Sequence, residues 1–110
     1  MSTKNLTTKD IEKIYGPLTF GGMFKAYREG EGLTQVEMAK QLKISKQALN
    51  DIESGRKIPS IRRALVLAQK IDVIPEIAIE LIMQDQLYRE HLNLTVKISL
   101  KQNDNEDEAA

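Results

Sequence analysis

Apolar residues recur every three or four positions over most of the chain, which is the spacing that places them on one face of a helix. The clearest run contains Phe20, Met23, Phe24 and Tyr27. The same period returns after each polar break until about residue 89. The pattern therefore predicts five helices, one from residue 20 to about residue 30 or 32 and four at about residues 35–42, 46–54, 60–70 and 75–89.

Residues with known capping preferences stand at the ends of these predicted helices. Thr34 precedes Glu37 by three residues, which is the spacing of a capping box, in which each side chain bonds the other residue's backbone N–H. Ser45 is a good N-cap for the third helix, and Gly55 suits the left-handed conformation that follows a helix. Pro75 favours the first turn of the fifth helix. Local chemistry thus agrees with the periodicity.

The period changes to two residues near the C-terminus. Apolar and polar residues alternate strictly over residues 92–100, which is typical of a β-strand with one apolar face. We expect the two ends of the chain to be poorly ordered. Residues 1–18 are predicted to form a flexible N-terminal segment, and the acidic residues 102–110 a disordered tail.

Charge is distributed unevenly along the chain, although the formal net charge is zero. Residues 40–70 contain eight Lys and Arg and only two acids, a net charge of +6, whereas residues 71–110 have a net charge of −6. The zero sum alone gives no reason to expect a nucleic-acid partner. The basic segment, however, coincides with the middle of the predicted helical region.

Composition excludes several classes of function. The chain has no cysteine and a single histidine, His91, so zinc and iron–sulfur sites cannot be built, and no metal or other cofactor is expected. No glycine-rich phosphate loop or nucleophile constellation is present, so an enzyme is not expected. The longest nearly apolar run, 77–83, is much shorter than the roughly 20 residues of a membrane span. Without disulfides or a signal segment, the expected location is the cytoplasm.

Two short predicted helices, 35–42 and 46–54, are separated by only three residues. In that arrangement one helix can brace another that enters the major groove of DNA. The sequence resembles the helix-turn-helix of the lambda-repressor-like family, the Cro and phage-repressor type, over about residues 19–75. The resemblance is carried by Leu33, Thr34, Gln35, Val36, Glu37, Met38, Ala39, Leu42, Ile44, Ser45, Leu49, Ile52, Glu53, Gly55, Pro59 and Ser60.

The resemblance and the periodicity together define the expected fold and function. We expect a mainly α protein, with a five-helix lambda-repressor-like domain and a C-terminal β-strand used for dimerisation. The domain implies a sequence-specific DNA-binding transcriptional regulator, in the first place a repressor.

The resemblance also implies which side chains face DNA. With Leu49 and Ile52 turned inward, the outward face of the second helix of the motif holds the candidate base contacts, which are Lys46, Gln47, Asn50, Asp51 and Ser54. Gln47 can pair with adenine, whereas Asp51 can only accept, so a cytosine amino group is its expected partner. The candidate phosphate contacts are Gln35, Ser45, Arg56, Lys57, Arg62 and Arg63.

Two further positions carry expectations from the resemblance. The turn between the two helices often has glycine in this family, whereas Lys43 stands there in this chain. A positive φ at this lysine would cost about 1 kcal/mol relative to glycine. Glu53 lies on the DNA-facing helix, yet the acid at this place in the family pairs with an arginine on the first helix, which here is Arg28.

The C-terminal region needs a partner for its apolar residues. A lone strand attached to helices leaves its backbone unpaired and its apolar face in water. We expect residues 76–101 to form the two-fold interface of a homodimer that binds a palindromic operator in double-stranded DNA. The expected interface residues are Ile77, Leu81, Leu92, Leu94, Val96, Ile98 and Leu100.

Two alternatives are open for this surface. The strand could instead fold back on the N-terminal segment, where Leu6, Ile11 and Ile14 could cover it. The chain could also be an antitoxin of a type II toxin–antitoxin module, because small members of the family often bind their operator and neutralise a toxin with a terminal extension. A protein toxin is then a second partner.

Overall fold

The computed structural model describes residues 18–99 and 101 of the 110-residue chain. Apart from Leu18, the predicted flexible segment 1–18 lies outside these residues, as does the predicted tail 102–110. Within the described part, the helices are α1 (Phe20–Gly30), α2 (Gln35–Leu42), α3 (Lys46–Glu53), α4 (Ile61–Gln69) and α5 (Pro75–Arg89). The predicted mainly α fold with five helices is therefore confirmed. Helix α1 ends at the earlier of its two expected positions, and every other boundary lies within one residue of its expected place.

Side-chain caps begin the first four helices. In α2, Thr34 Oγ1 accepts from the Glu37 N–H at 3.1 Å, and Glu37 Oε1 accepts from the Thr34 N–H at 2.9 Å, so both halves of the predicted capping box are present. The other capping residues are Thr19, Ser45 and Ser60. Each such cap contributes about 1 kcal/mol to helix stability. The fifth helix has no side-chain cap and begins with Pro75, as predicted.

A single apolar core joins all five helices. The largest fully buried side chains are those of Phe20, Phe24, Met38, Leu42, Leu49 and Ile82. The rings of Phe20 and Phe24 pack with their centroids 4.9 Å apart. Full burial of one such side chain stabilises the fold by about 1.5–3 kcal/mol. Because Leu49 contributes to this core from α3, the core fixes the orientation of that helix.

Gly21 allows α1 and α3 to pack with their backbones in close approach. A Cβ atom built on Gly21 would lie 1.9 Å from the carbonyl oxygen of Ile52. No side chain fits in that space, since the obstruction is backbone and cannot rotate away. Gly21 is therefore required by packing, and not by a turn.

Asp85 of α5 caps the start of α1 from a distance of 65 residues in sequence. Its Oδ2 accepts from the Phe20 N–H at 3.0 Å, whereas its buried Oδ1 has no hydrogen-bond partner among the described residues. Burial raises the pKa of this carboxyl to about 6, against the opposing effects of the Phe20 N–H and the positive charge of Arg89. This cap therefore combines a favourable hydrogen bond with a desolvation penalty.

The turn between α2 and α3 contains the left-handed residue that the sequence suggested. Lys43 has φ 59° and ψ 44°, a conformation that glycine adopts with less strain. The end of α2 receives a second stabilising contact, because Lys70 Nζ donates to the Leu42 carbonyl oxygen at 2.7 Å. One cation of the basic segment thus stabilises a helix end.

The predicted C-terminal β-strand is not formed over the described residues 92–99. Residues 92–99 carry no regular secondary structure, and Leu100 lies outside the described residues. The physical reason is that a strand needs a second backbone beside it, and none of the described residues supplies one. A side-chain amide occupies part of the edge instead: Gln84 Nε2 donates to the Leu94 carbonyl oxygen at 2.7 Å, and Gln84 Oε1 accepts from the Val96 N–H at 2.9 Å.

The predicted interface residues are not equally available to a partner. Ile77, Leu92 and Leu94 are exposed by 43%, 46% and 58%, and Val96 and Ile98 are half-buried. Leu81, by contrast, is buried in the core of its own chain. Its place on α5 faces the other helices, so we remove Leu81 from the expected interface.

A candidate nucleic-acid interface

Helices α2 and α3 form a compact two-helix unit joined by a three-residue turn. Leu49 and Ile52 are buried on the inner face of α3, as expected from their spacing. The opposite face of α3 is open to solvent at Lys46 and Gln47. The unit therefore presents one side of a short helix at the surface of the domain.

The other candidate contacts on this face differ in accessibility. Ser54 is exposed, and its hydroxyl donates to the Asp51 carbonyl oxygen at 3.2 Å. Ser45 is exposed as well, and its Oγ accepts from the Ala48 N–H at 3.0 Å, which confirms its predicted role as a cap. Asn50 is half-buried. Lys46 and Gln47 are thus the side chains with the freest access to a ligand on α3.

Asp51 does not lie on the outward face, so that placement was wrong. It is buried, and its carboxylate accepts from Gln47 Nε2 at 2.9 Å and from Arg56 Nε at 3.1 Å. Lys57 Nζ lies 3.7 Å from its other oxygen. The Lys57 N–H also donates to the Asp51 carbonyl oxygen at 3.1 Å. The loop after α3 therefore folds back over Asp51, a contact that helical periodicity cannot reveal.

The environment of Asp51 favours its charged form. Desolvation raises the pKa of this carboxyl, but the hydrogen bonds from Gln47 and Arg56 and the positive charge of Lys57 outweigh it, and the pKa lies below its usual value. Asp51 therefore remains an ionised acceptor at neutral pH. Its position makes it a group that orients its neighbours.

Arg28 and Glu53 form the ion pair that the resemblance implied. Arg28 Nε lies 2.8 Å from Glu53 Oε2, and Arg28 Nη2 lies 3.0 Å from Glu53 Oε1. Arg28 Nη1 also donates to the Leu33 carbonyl oxygen at 3.1 Å. Such a two-point contact is among the stronger kinds of ion pair. It ties the end of α3 to α1.

Gln35, at the start of α2, is joined to the same network. Its Nε2 lies 3.2 Å from Asn50 Oδ1 and 3.2 Å from Glu53 Oε1. The side chain is half-buried. Gln35 therefore links the two helices of the motif, in addition to the phosphate contact expected of it.

Four arginine and lysine residues follow α3 along the chain. They are Arg56, Lys57, Arg62 and Arg63, and all are exposed. The side chains of Arg56 and Lys57 are 59% and 77% accessible although both pair with Asp51. These cations lie in the loop after α3 and the first turn of α4, where they are free to meet an extended anion such as a phosphate backbone.

The described part of the chain offers neither a metal-binding cluster nor a membrane-spanning helix. It contains no cluster of three or more His, Cys, Asp or Glu side chains that could hold a metal ion. None of the helices there combines the length and the hydropathy needed to cross a membrane.

Comparison with known proteins agrees with the two-helix unit. The family model described as "Helix-turn-helix" matches residues 24–76. Neither a curated protein nor a solved structure matches the chain. The matched range runs from the middle of α1 to the start of α5 and includes the whole candidate interface. By its helices, its turn and this match, the region of residues 24–76 belongs to the lambda-repressor-like helix-turn-helix family, whose members are DNA-binding regulators.

Proposed function

We propose that the chain is a repressor that binds a palindromic operator sequence as a homodimer. The observation that carries the proposal is the juxtaposition of the exposed side chains of α3 with the cluster of cations that follows it. Lys46, Gln47 and Asn50 would contact base edges in the major groove, and Ser54 would lie at the rim of the contact. Base contacts supply specificity, whereas the surrounding phosphate contacts supply affinity and position.

The phosphate contacts in this proposal are Gln35, Ser45, Arg56, Lys57, Arg62 and Arg63. Contacts of Lys and Arg with phosphates release counterions from the DNA, so the affinity for DNA falls as the salt concentration rises. The acidic C-terminal forty residues, with a net charge of −6, oppose attraction to DNA at long range. The proposal therefore expects specific operator binding with weak affinity for bulk DNA.

A titration with labelled duplexes over a range of salt tests the DNA-binding proposal. A preferred duplex is first selected from random sequences, and its affinity is measured by fluorescence anisotropy against a scrambled duplex. Gln47→Ala should reduce the preference between the two duplexes, because a base contact is worth about 1–3 kcal/mol of discrimination. Arg62→Ala should weaken binding to both alike and lower the salt slope by about one unit.

Lys25→Ala is the matched control for Arg62→Ala, since Lys25 is exposed on α1 and belongs neither to the candidate DNA contacts nor to the expected dimer interface. It should leave both affinities and the salt slope unchanged. The proposal is wrong if scrambled DNA competes equally at every salt concentration.

The dimer is supported by the exposed apolar side chains of Ile77, Leu92 and Leu94 and by the extended alternation over residues 92–99. A second copy of the chain could provide both a strand edge and an apolar face. Two copies related by a two-fold axis would present two α3 helices to successive turns of DNA.

Molar mass in solution, measured by light scattering, tests the dimer. The wild-type chain should be a dimer at micromolar concentration, and Leu94→Glu should yield a folded monomer. Val66→Glu changes an equally exposed apolar residue, 50% accessible on α4, and should leave the dimer intact. A monomeric wild-type chain would rule out this part of the proposal.

A second candidate function, that of an antitoxin, rests on the same exposed segment. Leu92 and Leu94 could contact a toxin in place of, or in addition to, a second copy of this chain. This candidate predicts an adjacent reading frame whose product forms a stable complex with the chain when the two are produced together. It also predicts that Leu94→Glu abolishes that complex, whereas a solitary gene with no such product would remove the antitoxin from consideration.

A further inference from the structure

Gln47 and Asn50 are both proposed to contact bases, and the amide of each is already bonded to a neighbouring side chain. A side-chain amide has a donor end and an acceptor end. When a protein neighbour holds one end, the amide is oriented with its other end turned away from that neighbour and towards a ligand. The neighbours of these two amides therefore bear directly on base preference.

The nitrogen of the Gln47 amide is held by Asp51. Gln47 Nε2 donates to Asp51 Oδ1 at 2.9 Å, and this oxygen also accepts from Arg56 Nε at 3.1 Å. Lys57 Nζ lies 3.7 Å from the second carboxylate oxygen, so the carboxylate is fixed from two sides. An ionised carboxylate can only accept hydrogen bonds. Reversal of the Gln47 amide would place one acceptor against another, so the orientation of the amide is fixed. Its Oε1 is the end turned away from Asp51, while the second N–H of Nε2 stays on the atom that Asp51 holds.

In Asn50 the amide oxygen is bonded to a neighbour, whereas in Gln47 it is the amide nitrogen. Asn50 Oδ1 accepts from Gln35 Nε2 at 3.2 Å. The orientation of Gln35 is itself fixed, because the same nitrogen lies 3.2 Å from Glu53 Oε1. Glu53 is in turn bonded to Arg28. The free end of Asn50 is thus its Nδ2 donor.

We propose that Asp51 and Gln35 preset these amides, so that α3 presents an acceptor at Gln47 and a donor at Asn50. The inference rests on the proposed function. In the major groove the acceptor would meet the exocyclic amine of adenine or cytosine, and the donor would meet N7 of a purine, O6 of guanine or O4 of thymine. Asp51 is in this view a positioning residue that acts on specificity through Gln47, without touching a base.

The test combines protein variants with base analogues. Duplexes selected by the wild-type chain and by Gln47→Ala are compared, and the base pair whose preference disappears in the variant is the one that Gln47 contacts. Two analogues are then placed at that pair. One lacks the exocyclic amine, and the other carries sulfur, a weaker hydrogen-bond acceptor, in place of the major-groove carbonyl oxygen of the opposite base.

Each analogue also weakens the base pair itself, so its effect on any chain is taken relative to its effect on Gln47→Ala. For the wild-type chain, loss of the amine should weaken binding by roughly tenfold or more on this relative scale. Replacement of the carbonyl oxygen should have no greater effect in the wild-type chain than in Gln47→Ala.

Asp51→Ala releases the Gln47 amide and tests the positioning role directly. Because the freed amide can present either end, the effects of the two analogues should then differ by less than about threefold. Circular dichroism establishes whether this variant is folded. If it is not, the comparison of the wild-type chain with Gln47→Ala still decides the orientation of the amide.

The outcomes separate this inference from the proposed function. Failure to enrich any duplex refutes the proposed function itself. Enrichment followed by sensitivity to the carbonyl oxygen, or by equal sensitivity to both analogues in the wild-type chain, overturns the preset acceptor alone. The inference is also wrong if Asp51→Ala is folded and retains the full dependence on the amine.

Discussion

The ion pair between Arg28 and Glu53 connects α1 to α3, and its removal should show how strongly α3 depends on this connection. The two side chains are only 15% and 4% accessible. Removing one partner of a buried pair leaves an uncompensated charge and costs about 3–5 kcal/mol. Since Gln35 Nε2 still reaches Glu53 at 3.2 Å, we expect Arg28→Met to lie near the lower end, at about 3 kcal/mol. That is a large share of the stability of a small domain.

Removal of Glu53 should cost less than removal of Arg28. In Glu53→Met the guanidinium keeps its bond to the Leu33 carbonyl oxygen at 3.1 Å and is the more accessible partner, so we expect about 2 kcal/mol. In the double variant neither charge is left unpaired. Its cost should therefore fall well below the sum of the single variants, with a coupling energy of about 2 kcal/mol.

Urea unfolding followed by circular dichroism measures these free energies. Arg62→Met provides the control, because Arg62 is exposed and its removal should change stability by less than about 0.5 kcal/mol. Since the pair is largely screened from solvent ions, its coupling energy should change little with added salt. The reasoning is refuted if Arg28→Met and Glu53→Met each cost less than about 1 kcal/mol and their effects simply add.

Three further predictions concern the framework that holds α3. Gly21→Ala should destabilise the fold by about 3 kcal/mol or prevent folding, because its Cβ would lie 1.9 Å from the Ile52 carbonyl oxygen. Thermal unfolding measures this loss. The control is Gly30→Ala in the same helix, where a Cβ has nothing within 4 Å, and it should be neutral or slightly stabilising. Lys43→Gly should stabilise the chain by about 0.5–1 kcal/mol in urea, since φ is 59°, and a loss of stability would contradict the assigned strain. Asp85→Asn should gain about 1 kcal/mol at pH 7, discounted for partial exposure. The folded-state pKa of Asp85 is raised to about 6, so the wild-type chain recovers stability as the pH falls through 6. The advantage of Asp85→Asn should therefore vanish near pH 4. An advantage that does not change with pH would contradict the buried charge of Asp85 as its cause.

The amino-acid sequence by itself determined the helices, because their signals are local. Apolar spacing, the capping box of Thr34 and Glu37, and the proline at the start of α5 act over a few residues. Every helix boundary was predicted within one residue except the end of α1, for which two positions were open. The family motif extended this information to one long-range contact, the pair of Arg28 with Glu53. The inward side chains Leu49 and Ile52 followed from the helical period of α3. The side chains that face the core could therefore be predicted wherever helical periodicity alone determines which side of a helix is buried.

The tertiary structure decided the features that depend on segments distant in sequence. The burial of Asp51 arises from the loop that folds back after α3, and this contact converts an expected base contact into a positioning group. Gly21 is required only because the backbone of α3 passes against it, and Asp85 caps a helix that begins 65 residues earlier. Leu81 likewise belongs to the core because α5 packs across the other helices.

The C-terminal segment shows most clearly the difference between what local sequence determines and what tertiary contacts determine. The alternation over residues 92–100 is a local signal, yet a strand exists only when another backbone completes its hydrogen bonds. Within the described residues the Gln84 amide takes up the carbonyl of Leu94 and the N–H of Val96. Local sequence could specify the pattern of this segment, but only the arrangement in space decides what bonds to it.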